Sequence, residues 1–463
     1  MSHTPPSSTS TPPRNEAKER RRVMLSSYLG TTVEFYDFLL YGTAASLVFP
    51  HLFFTEMTPL AGTIASFATL AAGYFARPIG GLVFGHFGDR IGRKNMLVIT
   101  LLIMGISSFV IGLLPTTEVI GMWAPILLVT LRLIQGFAVG GEWAGAALMS
   151  MEHAKPKGRG FAASMASSGG PSGAVLATVV LTAFSLLPEE DFLTWGWRVP
   201  FLLSAILVVF ALVMRLRISE SPEFAEAQRI QKTERGDAPT QTPIMMVLRR
   251  YPVQTLTAIA GGLAPLFLQS LLATFMLTYS VTVGHTRTEA LTIVTIASAV
   301  HIITIPAFAA LSDRLGRKPV MVTGAALGIV LVWPLFQLVS DGSWWTLLLA
   351  FLIGNPLVQG MMYGPMAAWL SEKFATDARY TGVSLSYQVS STLGAGLAPL
   401  AAAALLAVGG GTDPIYIVFL FMALCVVSGL AYLFSSETSD IALSHTTGVI
   451  PVQKSRKKAP VSR

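Results

Sequence analysis

Long apolar runs alternate with short polar breaks along almost the whole chain. The runs begin near residues 24, 60, 96, 121, 161, 198, 253, 289, 319, 344, 380 and 414. Each is close to the ~20 residues that an α-helix needs to cross the hydrocarbon of a bilayer. The pattern predicts an all-α membrane protein of twelve transmembrane helices. A hydrophilic stretch over 216–252, which contains EAQRIQKTERGDAPTQTP, divides the runs six and six. The expected organisation is a disordered N-terminal tail over 1–23, a six-helix bundle over 24–215, a partly helical cytoplasmic linker over 216–252, a second six-helix bundle over 253–434 and a short basic tail over 435–463.

The polar breaks are not random. GHFGDRIGRK, Gly85 to Lys94, joins the second run to the third, and AALSDRLGRK, Ala309 to Lys318, joins the eighth to the ninth. Asp89 and Asp313 are 224 residues apart. Glu152 and Glu372 are 220 apart, as are Arg159 and Arg379. Three correspondences at a near-constant offset of about half the chain predict a duplication, two pseudo-symmetric bundles of the same orientation. Duplicated helical bundles in membranes are typical of transporters that bind at the interface between repeats.

Composition supports lipid as the solvent for these runs. Hydrophobic residues make up 52% of the 463 and charged residues only 12%, against about 25% in soluble domains. The net charge of +7 would suit a nucleic-acid partner if the cations formed a patch. Instead, 28 of the 32 Lys and Arg fall before the first run, in alternate loops, in the linker and in the C-terminal tail. That asymmetry is a topology signal: it places both termini in the cytoplasm, leaves membrane lipid as the partner and excludes nucleic acid. The single cysteine, Cys425, lies in an apolar run and suits packing.

Ionisable residues inside the runs cost about 2.5–3.5 kcal/mol each on insertion scales, so they need partners or a wet cavity. Glu34 and Asp37 are one turn apart on one face of the first helix. Arg77 lies in the second, toward its inner end, where a gate or ion pair is expected. Arg132 and Glu142 share a stripe of the fourth with Gln135. These five sum to minus one, and a carboxylate left without a cation in low dielectric readily takes a proton. For a small polar solute the candidate contacts are Tyr36, Tyr41, Gln135 and Trp143 in the first half, with Gln269, Tyr279, Tyr363, Tyr387 and Gln388 in the second. No HExxH, GxSxG, Walker lysine loop or Cys/His metal spacing occurs. No enzyme chemistry, metal or cofactor is therefore expected, and the energy source is a proton gradient.

The DRxGR loops resemble the loop signature of the major facilitator superfamily. GTTVEFYDFLLYG (30–42), ARPIGGLVFGHFGDRIGRK (76–94), RLIQGFAVGGEWAG (132–145), EHAKPKGRG (152–160), WGWRVPF (195–201), RISESPEF (217–224), SDRLGRKP (312–319) and ARYTGVSLSYQ (378–388) look like its metabolite:proton symporter family, the shikimate-transporter-like members above all. That resemblance implies alternating access between two rocking bundles. It implies a coupling pair of Asp37 and Arg132, with Glu34 beside them. It also implies two cytoplasmic charge networks: Asp89, Arg90 and Arg93 with Glu152 and Arg159, and Asp313, Arg314 and Arg317 with Glu372 and Arg379. The expected activity is proton-coupled uptake of a small hydrophilic metabolite, an organic acid such as shikimate or a dicarboxylate, by a monomer in a bacterial inner membrane. Proline or betaine symport is the alternative, with drug/proton exchange behind it.

Overall fold

The computed structural model describes residues 13–57, 59–185, 187–216, 243–376 and 378–437. Twelve long helical segments run through them: α1 Pro13–Leu47, α2 Pro59–Ile91, α3 Arg93–Leu113, α4 Trp123–Glu152, α5 Arg159–Ser185, α6 Phe192–Leu216, α7 Pro252–Phe275, α8 Arg287–Leu315, α9 Arg317–Ser340, α10 Trp344–Ser371, α11 Arg379–Val408 and α12 Ile415–Phe434. Nine are long and apolar enough to cross a membrane on those grounds alone. The other three are α1, α2 and α5. They carry Glu34 and Asp37, Arg77, and the SSGGPSG segment.

One boundary differs from the sequence expectation. The first helix begins at Pro13 rather than near 24, so RNEAKERRR forms its opening turns instead of ending a disordered tail. Ala, Glu, Lys and Arg are strong helix formers, and a membrane helix already nucleated behind them propagates into such a stretch. In the linker Pro243–Arg250 is helical, while 217–242 lies outside the described residues, as does the tail after 437.

The duplication is visible in the packing. In the first half α1 packs on α5 and α6, α2 on α4, and α3 on α4 and α6. In the second half α7 packs on α11 and α12, α8 on α10, and α9 on α10 and α12. Each pairing of one half therefore recurs in the other. The halves meet where α5 lies against α8 and where α2 and α4 lie against α11. Gly92 and Gly316, the matching glycines of the two DRxGR loops, sit at φ 111° and 99°. Only glycine adopts that backbone at low cost, so both copies turn the chain the same way into the next helix.

Glycine also sets the crossing of α2 and α4. A methyl group at Gly80 would overlap the carbonyl of Phe137, one at Gly136 the carbonyl of Gly73, and one at Gly140 the carbonyl of Arg77. The backbones touch directly, as small-residue membrane interfaces allow. Gly140→Ala is expected to force the pair apart, at about 1–3 kcal/mol. The check is thermal unfolding of the purified protein, where an unchanged midpoint contradicts the crossing.

Candidate transport site

The middle of the molecule holds a small cavity lined by Glu34, Phe35, Phe38, Tyr74, Arg77, Gln269, Tyr387, Ser391 and Ala395. It lies between the halves: α1 and α2 supply the two charges, and α7 and α11 supply an amide and a tyrosine. Of the solute contacts expected from sequence, Gln269 and Tyr387 line it. Trp143 and Tyr363 stand directly behind. The Trp143 ring stacks on Tyr387 at 3.7 Å and 8°, and the Tyr363 hydroxyl meets that of Tyr387 at 3.2 Å. The others are placed elsewhere. Tyr36 donates to the Pro200 carbonyl at 2.9 Å, Tyr41 shares a hydrogen bond with Thr69 at 2.7 Å, and Tyr279 reaches Ser340 and Thr412 at 3.2 and 3.3 Å. Gln388 donates to the Gly140 carbonyl at 3.0 Å and ties α11 to α4. Each is a tyrosine or glutamine whose polar tip already has a partner within the bundle. Side chains that sequence reasoning missed, Phe35, Phe38, Tyr74 and Ser391, complete the wall. Phe35 and Phe38 flank Asp37 in EFYDF, so their place on the charged face of α1 was the available signal.

Arg77 lies on this cavity and not in a gate at the helix end. No hydrogen bond or ion pair reaches it among the described residues, and the same holds for Glu34. The Arg77 guanidinium rests instead on aromatic faces, 4.3 Å from the Tyr74 ring centroid and 4.7 Å from that of Phe38. Such contacts hold a cation in place without neutralising it.

Asp37 and Arg132 do not form the direct ion pair expected of them. Both Asp37 oxygens are buried without a hydrogen-bond partner, and the hydroxyls of Ser108 and Ser204 are polar neighbours beyond well-formed bonding geometry. Arg132 donates to the Gln135 side-chain carbonyl at 2.7 Å, and the Gln135 amide donates to the Ser108 hydroxyl at 2.7 Å. Gln135 and Ser108 thus stand between the base and the acid, with no hydrogen bond from Ser108 to Asp37. The cause is geometric: the Arg132 guanidinium lies over the rings of Tyr41 (4.2 Å) and Phe38 (4.9 Å), which hold it back from Asp37. The single Phe38 ring serves both Arg77 and Arg132.

Glu142 does not bond to the other polar members of its stripe. It pairs with Arg215, the last-turn arginine of α6, and accepts from the Thr100 hydroxyl at 3.3 Å. Arg215 also donates to the Leu97 carbonyl at 2.6 Å and is 1% exposed. In the sequence it reads as one more linker cation. Adding Arg215 to the five charges read from the sequence gives three acids and three bases, so the expected excess of minus one becomes zero.

At the end that carries the N-terminus and the DRxGR loops the halves are closed on each other. Asp313 accepts the backbone N–H groups of Gly160 and Phe161 at 2.9 and 3.0 Å, and Glu152 pairs with Arg379 at 3.0 Å. Arg317 pairs with Asp313 at 2.7 Å and with Glu372 at 3.1 Å. The Tyr380 hydroxyl donates to the Gly141 carbonyl at 2.6 Å. The two networks expected within each half are therefore linked across the halves: Glu152 crosses to Arg379 and Asp313 to the start of α5, while Arg317 keeps Asp313 and Glu372 within its own half. Arg314 is exposed and in no ion pair among the described residues, which removes it from the network. Arg159 begins α5 at this same closure, one residue before Gly160. The side chains of Asp89, Arg90 and Arg93 lie outside the described part of the structure. Nearby, Lys373 donates to the Ser435 hydroxyl at 2.6 Å, and burial pushes its ammonium down to about 8.

Asp313→Asn removes the charge from two backbone contacts and from Arg317. At about 1.5–3 kcal/mol for a charge-assisted bond, the closed state should lose roughly tenfold in population or more. The reporter is Ser150→Cys, at a fully buried position near this end, in a Cys425→Ser background. Faster labelling by a polar thiol reagent is expected, and unchanged labelling contradicts the latch.

A duplicated twelve-helix bundle with a charged cavity between its halves, latched at one end, defines a membrane transporter of the major facilitator superfamily, not an enzyme. The chain belongs to the sugar (and other) transporter family, whose model matches residues 23–447. It is 40% identical over 421 residues to the shikimate transporter of Escherichia coli (strain K12), covering 90% of this chain and 95% of that one. It is 32% identical over 434 residues to the proline/betaine transporter of the same strain, covering 92% and 85%. A solved structure of the proton:xylose symporter has the same fold, with a TM-score of 0.72 at 18% identity over 90% of this chain and 95% of that one.

Proposed function

We propose that this protein takes up a small hydrophilic organic acid, of the shikimate kind, together with protons across a bacterial inner membrane, with its basic end in the cytoplasm. The observation that carries this is the pair of buried carboxylates on one face of α1, Glu34 and Asp37. Neither is in an ion pair among the described residues, and each faces an arginine it does not touch. A carboxylate so placed binds and releases protons as neighbouring cations move, which is what coupling to a gradient needs. On this reading the closed basic end keeps the site shut from the cytoplasm, and the contacts that cross between the halves there are what rocking must break. The energy source is the proton gradient, with no cofactor, and one chain contains all the parts.

A second reading has its own support. The rings of Phe35, Phe38, Tyr74 and Tyr387 beside Glu34 could cage a quaternary ammonium, so betaine or proline symport is the alternative. The small, charged cavity disfavours export of bulky apolar drugs. Uptake into proteoliposomes with an imposed pH gradient, acid outside, decides among them. Accumulation of shikimate supports the first reading and accumulation of betaine alone the second. Absence of any gradient-driven solute uptake rules out symport.

A further inference from the structure

Arg77 and Glu34 face each other across one cavity, and the buried charges around them already sum to zero. We infer that Arg77 is the seat of the solute's carboxylate, and that the anion's arrival recruits one proton to Glu34. This rests on the symport reading and divides the work of the two α1 carboxylates.

The geometry supports each half of the inference. A guanidinium lying on Tyr74 and Phe38 with no acceptor among the described residues keeps its donors free, and bidentate recognition of a planar carboxylate is what that fork does best. Every other arginine buried in the first half is occupied: Arg132 by Gln135, Arg215 by Glu142 and Leu97. Arg77 alone combines exposure to the cavity with a vacant fork. Gln269 and Ser391 on the facing half offer polar groups to the rest of the solute. Contact with both halves is what lets a bound solute affect their rocking.

Charge balance supplies the proton. The charged and titratable groups around Glu34 are Arg77 and Tyr74 from α2, Glu142 from α4, Arg215 from α6, Tyr363 from α10 and Tyr387 from α11, with Asp37 one turn along α1. Glu142 and Arg215 cancel. Arg77 is therefore the one cation left to balance Glu34. A carboxylate seated on Arg77 takes that cation and brings a second negative charge within the same small cavity. Two carboxylates sharing one site hold a proton between them. A hydronium ion gives its proton to a Glu34 oxygen, one O–H bond breaking as the other forms and water leaving, and the loaded site is neutral again. Asp37 sits outside this cavity, at the far end of the Ser108–Gln135–Arg132 chain, and is left to govern the return of the empty carrier.

The test is calorimetric titration of the full-length protein in detergent with shikimate, its methyl ester and betaine, in buffers of different ionisation enthalpy. The wild type is expected to take up about one proton per shikimate bound and none with the ester, and to bind shikimate at least tenfold more weakly at pH 8 than at pH 5.5. In Glu34→Gln the proton count should fall to zero and the pH dependence vanish. Arg77→Gln should lose at least tenfold in affinity for the acid and little for the ester. Asp37→Asn should keep the proton count. The wild-type count needs no variant, so a variant that fails to fold leaves the test standing. Zero protons in the wild type, one proton in Glu34→Gln, an unchanged acid preference in Arg77→Gln, or binding of betaine but not the acid would each overturn the inference. Gradient-driven accumulation by liposomes that show any of these results would leave the symport reading intact and remove only this assignment. No gradient-driven uptake at all removes the reading itself.

Discussion

Asp37→Asn is expected to abolish proton-driven accumulation while leaving solute exchange. With one proton per solute, a gradient of two pH units supports roughly a hundredfold accumulation, since each tenfold is about 1.4 kcal/mol. The variant should fall to an inside/outside ratio near one. The argument runs through the empty carrier. After the solute and its proton leave, the halves must rock back with the buried charges balanced. Gln135 and Ser108 lie between Arg132 and its balancing carboxylate. An amide at 37 leaves that guanidinium as an uncompensated buried cation when Glu34 and Arg77 offset each other, and the return stalls. Exchange uses the loaded carrier in both directions and avoids that step. Asparagine has nearly the shape of aspartate, and the Asp37 oxygens have no hydrogen-bond partner to lose. The folded protein should therefore be obtained in normal yield. Accumulation at the wild-type ratio in Asp37→Asn vesicles would sink this account, and loss of folded protein with normal turnover per molecule would point to a packing role.

The largest stability effect is expected at Arg215. Arg215→Met leaves Glu142 as a buried charge with only Thr100 as a side-chain partner, at a cost of about 3–5 kcal/mol. Glu142→Leu alone strands the guanidinium, which keeps its bond to the Leu97 carbonyl and should cost somewhat less. The double variant removes both charges and should recover most of the loss, because apolar replacements of a buried pair are often neutral. A double-mutant cycle on thermal unfolding reads the coupling directly. Additive losses would show that the two side chains do not depend on each other. Recovery of stability together with retained uptake would assign the pair to holding α3, α4 and α6 together, separate from the proton site.

How much of this was legible before the fold depended on the range of the interaction. The loop glycines Gly92 and Gly316, the small-residue face of α4 and the closeness of Glu34 to Asp37 follow from local chemistry and helical spacing, and the structure shows all three. Arg77 was harder. Its distance from the helix end suggested a gate, yet the Gly80–Gly140 contact brings α2 so close to α4 that the arginine is turned toward the central cavity. Tyr36 and Tyr41 sit on the same helix as the cavity lining but on the side that packs against α6 and α2. A one-dimensional pattern marks them as polar and mid-span without saying which neighbour takes the hydroxyl.

The sequence alone determined the number of runs, their division into two matched halves and the side on which the basic loops gather. Each of these is a property of transfer into lipid, which acts on segments one at a time. Only the tertiary structure decided which charge meets which. Glu142 and Arg215 are 73 residues apart and Glu152 and Arg379 are 227 apart. Pairing over such separations depends on how helices pack, and no residue carries a mark of its partner. For the same reason a cluster that looked one charge negative is neutral. On the proposed reading, that neutrality is why a proton enters together with an anion.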